Sequence, residues 1–302
     1  MNRSIPAELE FGLADDGDVP QVLALANEVQ PHAPWTAETF AWQFRQPPSG
    51  PALLFVARGA GRIVGLYCAV RGTLDAGGAT VATARVQDVM TMPAWRGRGV
   101  LHALAERCRD WLLDEGIAGY AFPNEHSHRS FVRAGWDVAT AVPWWRGGAA
   151  ELGQTIDAAE CDVFDERATE IWDAAKAGVA IRRDAAYLNW RYARPGQKYA
   201  KFLVGDETVL VLKRYNGSVH VCDVFAPAAS RGAITHALRF AQQWAAQQGA
   251  QTVTAWLCPG HRDAPQFAEA GLVSQPDTGR YVVTLTTPGS CFYVSHSDND
   301  IF

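Results

Sequence analysis

A short glycine- and arginine-rich stretch in the first half of the chain could bind a phosphate group. Arg96-Gly97-Arg98-Gly99 lies between a strand-like run that stops at Pro93 and a helical run from Arg98 to Glu115. The first turn of a helix leaves backbone N–H groups without partners, and glycines let a diphosphate approach them closely. Two arginines add positive charge and fork-shaped donors. The pattern therefore predicts a diphosphate-binding loop.

The same stretch does not match the common nucleotide-binding motifs. No third glycine follows Gly99, as the dinucleotide fingerprint requires, and no Gly-Lys-Ser/Thr follows, as a P-loop requires. The formal net charge is -5 and no basic block occurs, which disfavours a general nucleic-acid binder. The six cysteines form no CxxC pair, which disfavours a zinc site and a disulfide framework. We therefore expect no nucleic-acid partner and no metal.

Hydropathy places limits on the location of the protein. No window of about 18 apolar residues is present for a membrane span, and Met1 to Gly12 lacks the apolar core of a signal peptide. We therefore expect a cytoplasmic protein without a membrane span.

The elements around the loop alternate between strands and helices. The spacing predicts strands over Thr80–Met92 and Ile117–Phe122, a helix over Ser127–Arg133 and a last strand over Trp136–Trp145. Gly116 is a good residue to end the helix that follows the loop. This succession predicts an α/β fold.

The second half of the chain repeats features of the first half in the same order. Asp88-Val89 matches Asp223-Val224, and Arg96-Gly97 matches Arg231-Gly232, in both cases 135 residues later. These matches predict an internal duplication, with domains at 1–147 and 154–302. In this alignment the second copy lacks the second glycine of the loop, so only the first copy is expected to bind a ligand there.

The block from Thr80 to Trp136 resembles the GNAT superfamily of N-acyltransferases. The superfamily signature is Arg/Gln-x-x-Gly-x-Gly/Ala, to which Arg96-x-x-Gly99 conforms, with Leu101 where Gly or Ala is usual. The spacing downstream of the loop is also similar to that of the superfamily, with these residues at the matching positions: Asn124, Ser127, Phe131, Gly135 and Trp136. The resemblance implies an α/β (α+β) fold of two GNAT-like domains, each a mixed, mostly antiparallel sheet flanked by helices. The C-terminal domain would be degenerate.

The resemblance implies that acetyl-CoA or another acyl-CoA is the co-substrate. Its pantetheine arm would lie between two separating strands, and its diphosphate would lie on the loop. The residues expected to contact it are Met90, Thr91, Met92, Arg96, Gly97, Arg98, Gly99, Val100, Leu101, Asn124 and Ser127. A small-molecule primary amine would then attack the thioester, and an amino sugar linked to a nucleotide is one candidate acceptor.

The groups that move protons are left open by the sequence. Many relatives have a tyrosine, which protonates the leaving thiolate, at the position held here by Phe131. Three alternatives are open here: the reaction needs no general acid, water serves as the acid, or another residue takes the role. Asp88, His126 and His128 are the catalytic candidates, because a carboxylate and imidazoles near the thioester can accept or donate a proton.

Two other functions compete with acyl transfer. A binding or scaffold protein could keep the fold without turnover, and the phenylalanine at 131 and the degenerate second copy favour it. An aminoacyl transferase supplied by charged tRNA would not need the Arg-Gly-Arg-Gly loop and would favour a more basic surface. An acyl-CoA-dependent N-acyltransferase explains the loop best.

Overall fold

The chain folds into two compact units in the computed structural model. The model describes residues 8–76, 78–124, 127–151, 153, 155–175, 178–258, 260–275, 279–287 and 292–299. The first unit comprises the described parts of Met1–Thr73, Val81–Ala139 and Tyr281–Thr287. The second unit comprises the described parts of Leu74–Thr80, Thr140–Arg280 and Pro288–Phe302.

The first unit contains a mixed sheet in which seven of the described strands are hydrogen-bonded in sequence. Its strand order is β1-β2-β3-β4-β5-β15-β6, and the strands are β1 (Glu10–Leu13), β2 (Leu53–Gly59), β3 (Arg62–Ala76), β4 (Ala79–Thr91), β5 (Ala118–Ala121), β6 (Asp137–Ala141) and β15 (Tyr281–Leu285). β1–β2, β2–β3 and β5–β15 are antiparallel, and β4–β5 is parallel. β15, from near the end of the sequence, is the strand between β5 and β6.

The described residues of the first unit form the helices α1 (Val19–Val29), α2 (Ala37–Phe40), α3 (Val100–Asp114) and α4 (His128–Arg133). Thr36 caps α2 with a reciprocal capping box, as its position in the sequence suggests. α3 buries one side of its surface through residues spaced three and four apart, including Val100, Leu104 and Cys108. It ends in a Schellman motif with Gly116 at φ +65°, as predicted.

The second unit has the same strand arrangement. Its sheet order is β14-β7-β13-β12-β11-β10-β8, and the strands are β7 (Trp144–Gly148), β8 (Ala158–Glu160), β10 (Ala200–Val204), β11 (Thr208–Tyr215), β12 (Ser218–Phe225), β13 (Thr252–Trp256) and β14 (Val273–Gln275). A short strand, β9 (Ala180–Ile181), pairs with Leu74 and Asp75 at the end of β3. The helices are α5 (Glu166–Ala175), α6 (Ala185–Arg191), α7 (Ala233–Gln247) and α8 (Ala264–Glu269).

The predicted fold class is confirmed: both sheets are mixed, mostly antiparallel and flanked by helices. The last strand predicted for the first half is two strands in the structure, because β6 ends at Ala141 and β7 begins at Trp144. β7 pairs with β13 and β14 in the sheet of the second unit. The first sheet therefore contains β15 and β9 from the second half of the sequence, and the second sheet contains β7 from the first half. No helix in the described ranges is long and apolar enough to cross a membrane.

The close contact between β3 and α3 sets the position of the loop, and it can be tested at Gly65. A Cβ on Gly65 would lie 2.7 Å from Cγ1 of Val100 and 3.1 Å from Cδ1 of Leu104. We expect Gly65→Ala to lower the free energy of unfolding by about 1–3 kcal/mol, because overpacking moves the helix. Urea denaturation measures the change.

Gly72→Ala is the matched control on the same strand. A Cβ there would lie 3.5 Å from the methyl group of Thr83, which is an ordinary contact. We expect its effect to stay within about 0.5 kcal/mol. Equal losses for the two variants would contradict the close packing of β3 against α3.

Candidate functional site

β4 pairs with β5 over only part of its length and continues beyond the paired region. The parallel register runs from Thr83–Ala118 to Val86–Ala121, and the hydroxyl of Thr83 donates to the carbonyl of Ala118 at 2.7 Å. β4 continues to Thr91, whereas β5 ends at Ala121. The end of β4 leads through a single 3₁₀ turn, Pro93–Trp95, to the predicted loop.

The loop residues adopt the backbone conformations that glycine permits. Gly97 has φ +73°, and Gly99, the N-cap of α3, has φ +81°. Both values lie in the left-handed region, which a residue with a side chain rarely adopts. Gly99 brings no side chain that could cap the first turn of α3. Its N–H groups and the positive end of the helix dipole can therefore bind an anion.

A cavity of about 820 Å³ lies against this helix start. Seven of the predicted cofactor residues line it, namely Met90, Thr91, Arg96, Gly97, Gly99, Val100 and Leu101. The hydroxyl of Thr91 is buried and has no hydrogen-bond partner among the described residues. An open helix start, a buried hydroxyl and an arginine on one cavity suit a phosphorylated ligand with a long polar arm.

Two other predicted residues of this segment do not line the cavity. Met92 is buried, and its N–H donates to the carbonyl of Val64 at 2.9 Å. The guanidinium of Arg98 lies 5.2 Å from the ring centroid of Trp95. Arg96 differs from both, because it lines the cavity and its Nε donates to the carbonyl of Thr91 at 3.1 Å. This bond ties Arg96 to the end of β4.

Asn124 and Ser127 form the turn that opens α4. The side-chain carbonyl of Asn124 accepts hydrogen bonds from the N–H of Ser127 at 3.1 Å and from its hydroxyl at 3.3 Å. The backbone carbonyl of Asn124 accepts from the N–H of His128 at 2.9 Å. Neither Asn124 nor Ser127 is among the cavity-lining residues. Their contact with a cofactor stays a prediction, while their role in starting the helix is visible.

Asp88 lies immediately before the cavity-lining part of β4. It has φ +50°, an unusual value for a residue with a side chain. Its Oδ2 accepts hydrogen bonds from the side-chain amides of Gln43 at 2.5 Å and of Gln87 at 2.8 Å. Gln43 lies on a π-helical turn, Ala41–Arg45, that continues α2. Strained backbone and π-helical turns are frequent at functional sites, so this carboxylate keeps its place as a catalytic candidate.

Of the two histidines predicted as catalytic candidates, the structure describes one. His126 lies outside the described residues. His128 begins α4, and its ring lies 4.4 Å from that of Tyr281. Its Nε2 is buried and has no hydrogen-bond partner in the described part of the chain. The ring is held by stacking, and its role in proton transfer stays a prediction.

The cavity also has walls that the sequence reasoning missed. Ser130 and Arg133 of α4 line it, as do Val29 and Gln30 at the end of α1. Ser130 and Arg133 are three residues apart and therefore lie on one face of the helix. This spacing is the sequence signal that could have predicted both residues as part of the cavity lining. Arg133 adds a second cationic side chain to the cavity, beside Arg96. α1 offered no such signal, because its approach to the loop depends on tertiary packing.

The corresponding end of β12 in the second unit is covered by the chain itself. Residues Phe292–Asn299 are all buried. The hydroxyl of Tyr293 donates to the carbonyl of Val224 at 2.9 Å and accepts from its N–H at 3.2 Å. Val224 follows Asp223 as Val89 follows Asp88. The backbone that lines a cavity in the first unit is thus hydrogen-bonded to a tyrosine in the second.

Asp223 is fully buried in a network of polar side chains. Its Oδ1 accepts from Ser295 at 2.6 Å, and its Oδ2 accepts from the hydroxyl of Tyr192 at 2.5 Å. Arg183 pairs with both Asp223 and Asp298. Burial alone would lower the pKa of Arg183, but these two carboxylates outweigh it and raise the pKa well above its ordinary value. The charged network fixes the C-terminal segment in place.

The structure corrects the alignment of the two loops. Gly99 and Gly232 are the N-caps of two 15-residue helices, and both have φ +81°. Gly232 therefore corresponds to Gly99, and not to Gly97 as the sequence repeat indicated. The second copy keeps the capping glycine and lacks the Arg96-Gly97 pair. The error arose because the same dipeptide, Arg-Gly, occurs twice in the first loop.

Comparison with known families identifies the first unit. The model of the acetyltransferase (GNAT) domain matches residues 10–138, which include the loop, the cavity-lining end of β4 and α4. Residues 10–138 form a GNAT acetyltransferase domain. The match assigns this domain to the GNAT acetyltransferases, and that family implies an acyl-CoA donor. No curated protein matches the chain in sequence.

Solved structures share the fold over most of the chain. A probable N-acyltransferase from Enterococcus faecalis V583 superposes with a TM-score of 0.70 at 12% identity, covering 91% of this chain and 71% of its own. A GCN5-related N-acetyltransferase from Anabaena variabilis superposes with a TM-score of 0.69 at 13% identity, covering 91% of this chain and 72% of its own. Eis1 from Mycobacterium abscessus superposes with a TM-score of 0.61 at 17% identity, and the superposition covers 91% of this chain and 72% of Eis1. At these identities the superpositions show the fold alone.

The loop of the GNAT domain can be tested by calorimetry with coenzyme A. We expect Gly99→Trp and Arg96→Glu each to weaken binding about 100-fold or more. The first fills the space before the helix amides, and the second replaces a charge-assisted donor with a repelling carboxylate. Circular dichroism checks that both variants stay folded.

Gly232→Trp at the start of α7 is the matched control for Gly99→Trp, and Arg231→Glu, at the position that corresponds to Arg98, is the control for charge reversal. Gly232 has the same φ as Gly99, so the backbone strain of the two substitutions is the same. We expect affinity within about twofold of wild type for both controls. Unchanged affinity in the Gly99 and Arg96 variants, or a large loss in the controls, would contradict the assignment of the loop.

Proposed function

We propose that the GNAT domain binds acetyl-CoA or a similar acyl-CoA at the start of α3 and transfers the acyl group to a small primary amine. The observation that carries this proposal is the uncapped first turn of α3, with left-handed Gly97 and Gly99, on the wall of a cavity. The cavity joins this anion site to the end of β4 that extends beyond the pairing with β5. A ligand with a diphosphate at one end and an extended amide arm fits that arrangement.

The residues on the cavity divide the work of holding the donor. The helix amides after Gly99 and the guanidinium of Arg96 would bind the diphosphate. Val89 to Thr91 would pair with the amide groups of the arm, because β4 continues there beyond its pairing with β5. The hydroxyl of Thr91 would gain the hydrogen-bond partner that it lacks in the described residues.

Asp88 is the best-placed group to accept a proton from the amine. It directly precedes the residues expected to hold the arm, so the reacting end of the donor would lie near it. Gln43 and Gln87 donate to Oδ2 and fix the orientation of the carboxylate. We propose that Asp88 accepts the proton of the attacking ammonium, directly or through water. An amino sugar stays one candidate for the acceptor.

We propose that the second unit does not bind acyl-CoA. Its tyrosine at 293 is hydrogen-bonded to the part of β12 that would hold the arm, and Arg183 secures the segment through Asp298 at 2.6 Å. The loop before α7 also lacks the counterpart of Arg96-Gly97. Calorimetry is therefore expected to give one coenzyme A per chain.

The proposed function is tested by thiol release from acetyl-CoA with a panel of primary amines, amino sugars included. We expect wild-type protein to release thiol only when an amine is present, and the acetylated amine to be detected by mass spectrometry. We expect Asp88→Asn to lower kcat about 100-fold while the affinity for coenzyme A stays unchanged, because a general base typically contributes 10²–10⁴-fold.

Asp137→Asn is the control, because Asp137 is an exposed carboxylate on β6 of the same unit. It is expected to keep the wild-type rate. Absence of amine-dependent release across the panel would overturn the proposed transfer to small primary amines. A wild-type rate in Asp88→Asn would remove Asp88 from the mechanism and leave the donor site unaffected.

A further inference from the structure

Tyr67 is a buried tyrosine in the middle of β3 whose hydroxyl has no evident structural purpose. Only 2% of its surface is exposed, and the hydroxyl is buried without a hydrogen-bond partner among the described residues. A buried polar atom that makes no hydrogen bond destabilises the folded state. Phenylalanine would fill the same space without that cost. Such an exception in a packed core calls for an explanation.

The position of Tyr67 relates it to the strand wall of the cavity. Two contacts join β3 to the end of β4 on either side of it: the N–H of Met92 donates to Val64, and the thiol of Cys68 donates to the carbonyl of Asp88 at 3.9 Å. Tyr67 therefore lies beside the part of β4, Val89 to Thr91, that lines the cavity.

Tyr67 also lies next to α4, the helix that contributes Ser130 and Arg133 to the cavity lining. The ring centroid of Tyr67 lies 6.2 Å from that of Phe131 on α4. Phe131 directly follows Ser130, which lines the cavity, and Arg133 lines it one half-turn later. Tyr67, which is not itself among the lining residues, thus packs beside a strand and a helix that both contribute residues to the cavity lining.

The hydroxyl is suited to donating a proton. Burial, with a smaller effect of the Cys108 thiol, raises the pKa of Tyr67 well above its ordinary value, so the hydroxyl stays protonated at neutral pH. Aminolysis of a thioester expels a thiolate, which needs a proton. Burial destabilises a thiolate as it does a phenolate, so a thiolate formed beside Tyr67 would also be a stronger base than it is in water.

We propose that the hydroxyl of Tyr67 protonates the thiolate that leaves during acyl transfer. The amine nitrogen forms a bond to the thioester carbon, and the carbon–sulfur bond breaks with its electron pair moving to sulfur. Sulfur takes the proton of Tyr67, and the phenolate regains one from the nitrogen through water. The products are the amide and the free thiol. This inference rests on the proposed function, since it needs a thioester donor in the cavity.

Tyr67→Phe tests the inference, because it removes only the hydroxyl. We expect kcat for the best amine of the panel to fall about 100-fold, with KM for acetyl-CoA and the calorimetric affinity for coenzyme A within about twofold of wild type. The melting temperature is expected to stay unchanged or to rise, because an unsatisfied hydroxyl has left the core. A merely structural role would instead lower the melting temperature.

Two further variants complete the experiment. Tyr199→Phe removes another buried hydroxyl, in the second unit, and it is expected to keep the wild-type kcat. Phe131→Tyr, combined with Tyr67→Phe, places a hydroxyl on the neighbouring ring and is expected to restore part of the lost rate. Restoration would show that a proton donor is needed at this place beside the cavity.

The outcomes separate this inference from the proposed function. Amine-dependent turnover in wild type with an unchanged kcat in Tyr67→Phe would overturn the role of Tyr67 and keep the transferase. An equal loss of kcat in Tyr199→Phe would also overturn it. A lowered melting temperature together with weaker coenzyme A binding in Tyr67→Phe would assign the residue to packing. Lack of turnover in wild type would instead overturn the proposed function.

Discussion

The site depends on the unpaired backbone amides in the first turn of α3. A helix must begin somewhere, and its first N–H groups need acceptors. In most helices a side chain supplies one of them, but Gly99 has no side chain to do so and adopts φ +81°. The position of this helix start is set by Gly65, against which Val100 and Leu104 pack. Anion binding and core packing are therefore coupled at one contact.

The two units show how one strand and helix arrangement can be open or filled. Both have a long strand that continues beyond a short parallel pairing, followed by a helix capped by a left-handed glycine. In the first unit the continuing strand lines a cavity. In the second, Tyr293 binds that strand, and Asp223 lies in a buried network with Arg183. A buried ion pair of this kind fixes one arrangement more than it adds stability.

The sequence predicted the elements whose signals are local. The loop and the end of α3 at Gly116 each follow from a few neighbouring residues, and the alternation of strands and helices indicates the fold class. The insertion of β15 between β5 and β6 could not be predicted in this way, because it pairs residues more than 160 positions apart. Tyr67 could not be singled out either, since a tyrosine in an apolar strand resembles any core residue until its hydroxyl can be examined.

A crystal structure of the protein with coenzyme A tests the central claim most directly. The account predicts diphosphate oxygens within about 3 Å of the backbone N–H groups at the start of α3, the guanidinium of Arg96 beside them and the pantetheine arm along Val89 to Thr91. A diphosphate bound at the start of α7, or at any place away from the N-terminal turn of α3, would contradict it.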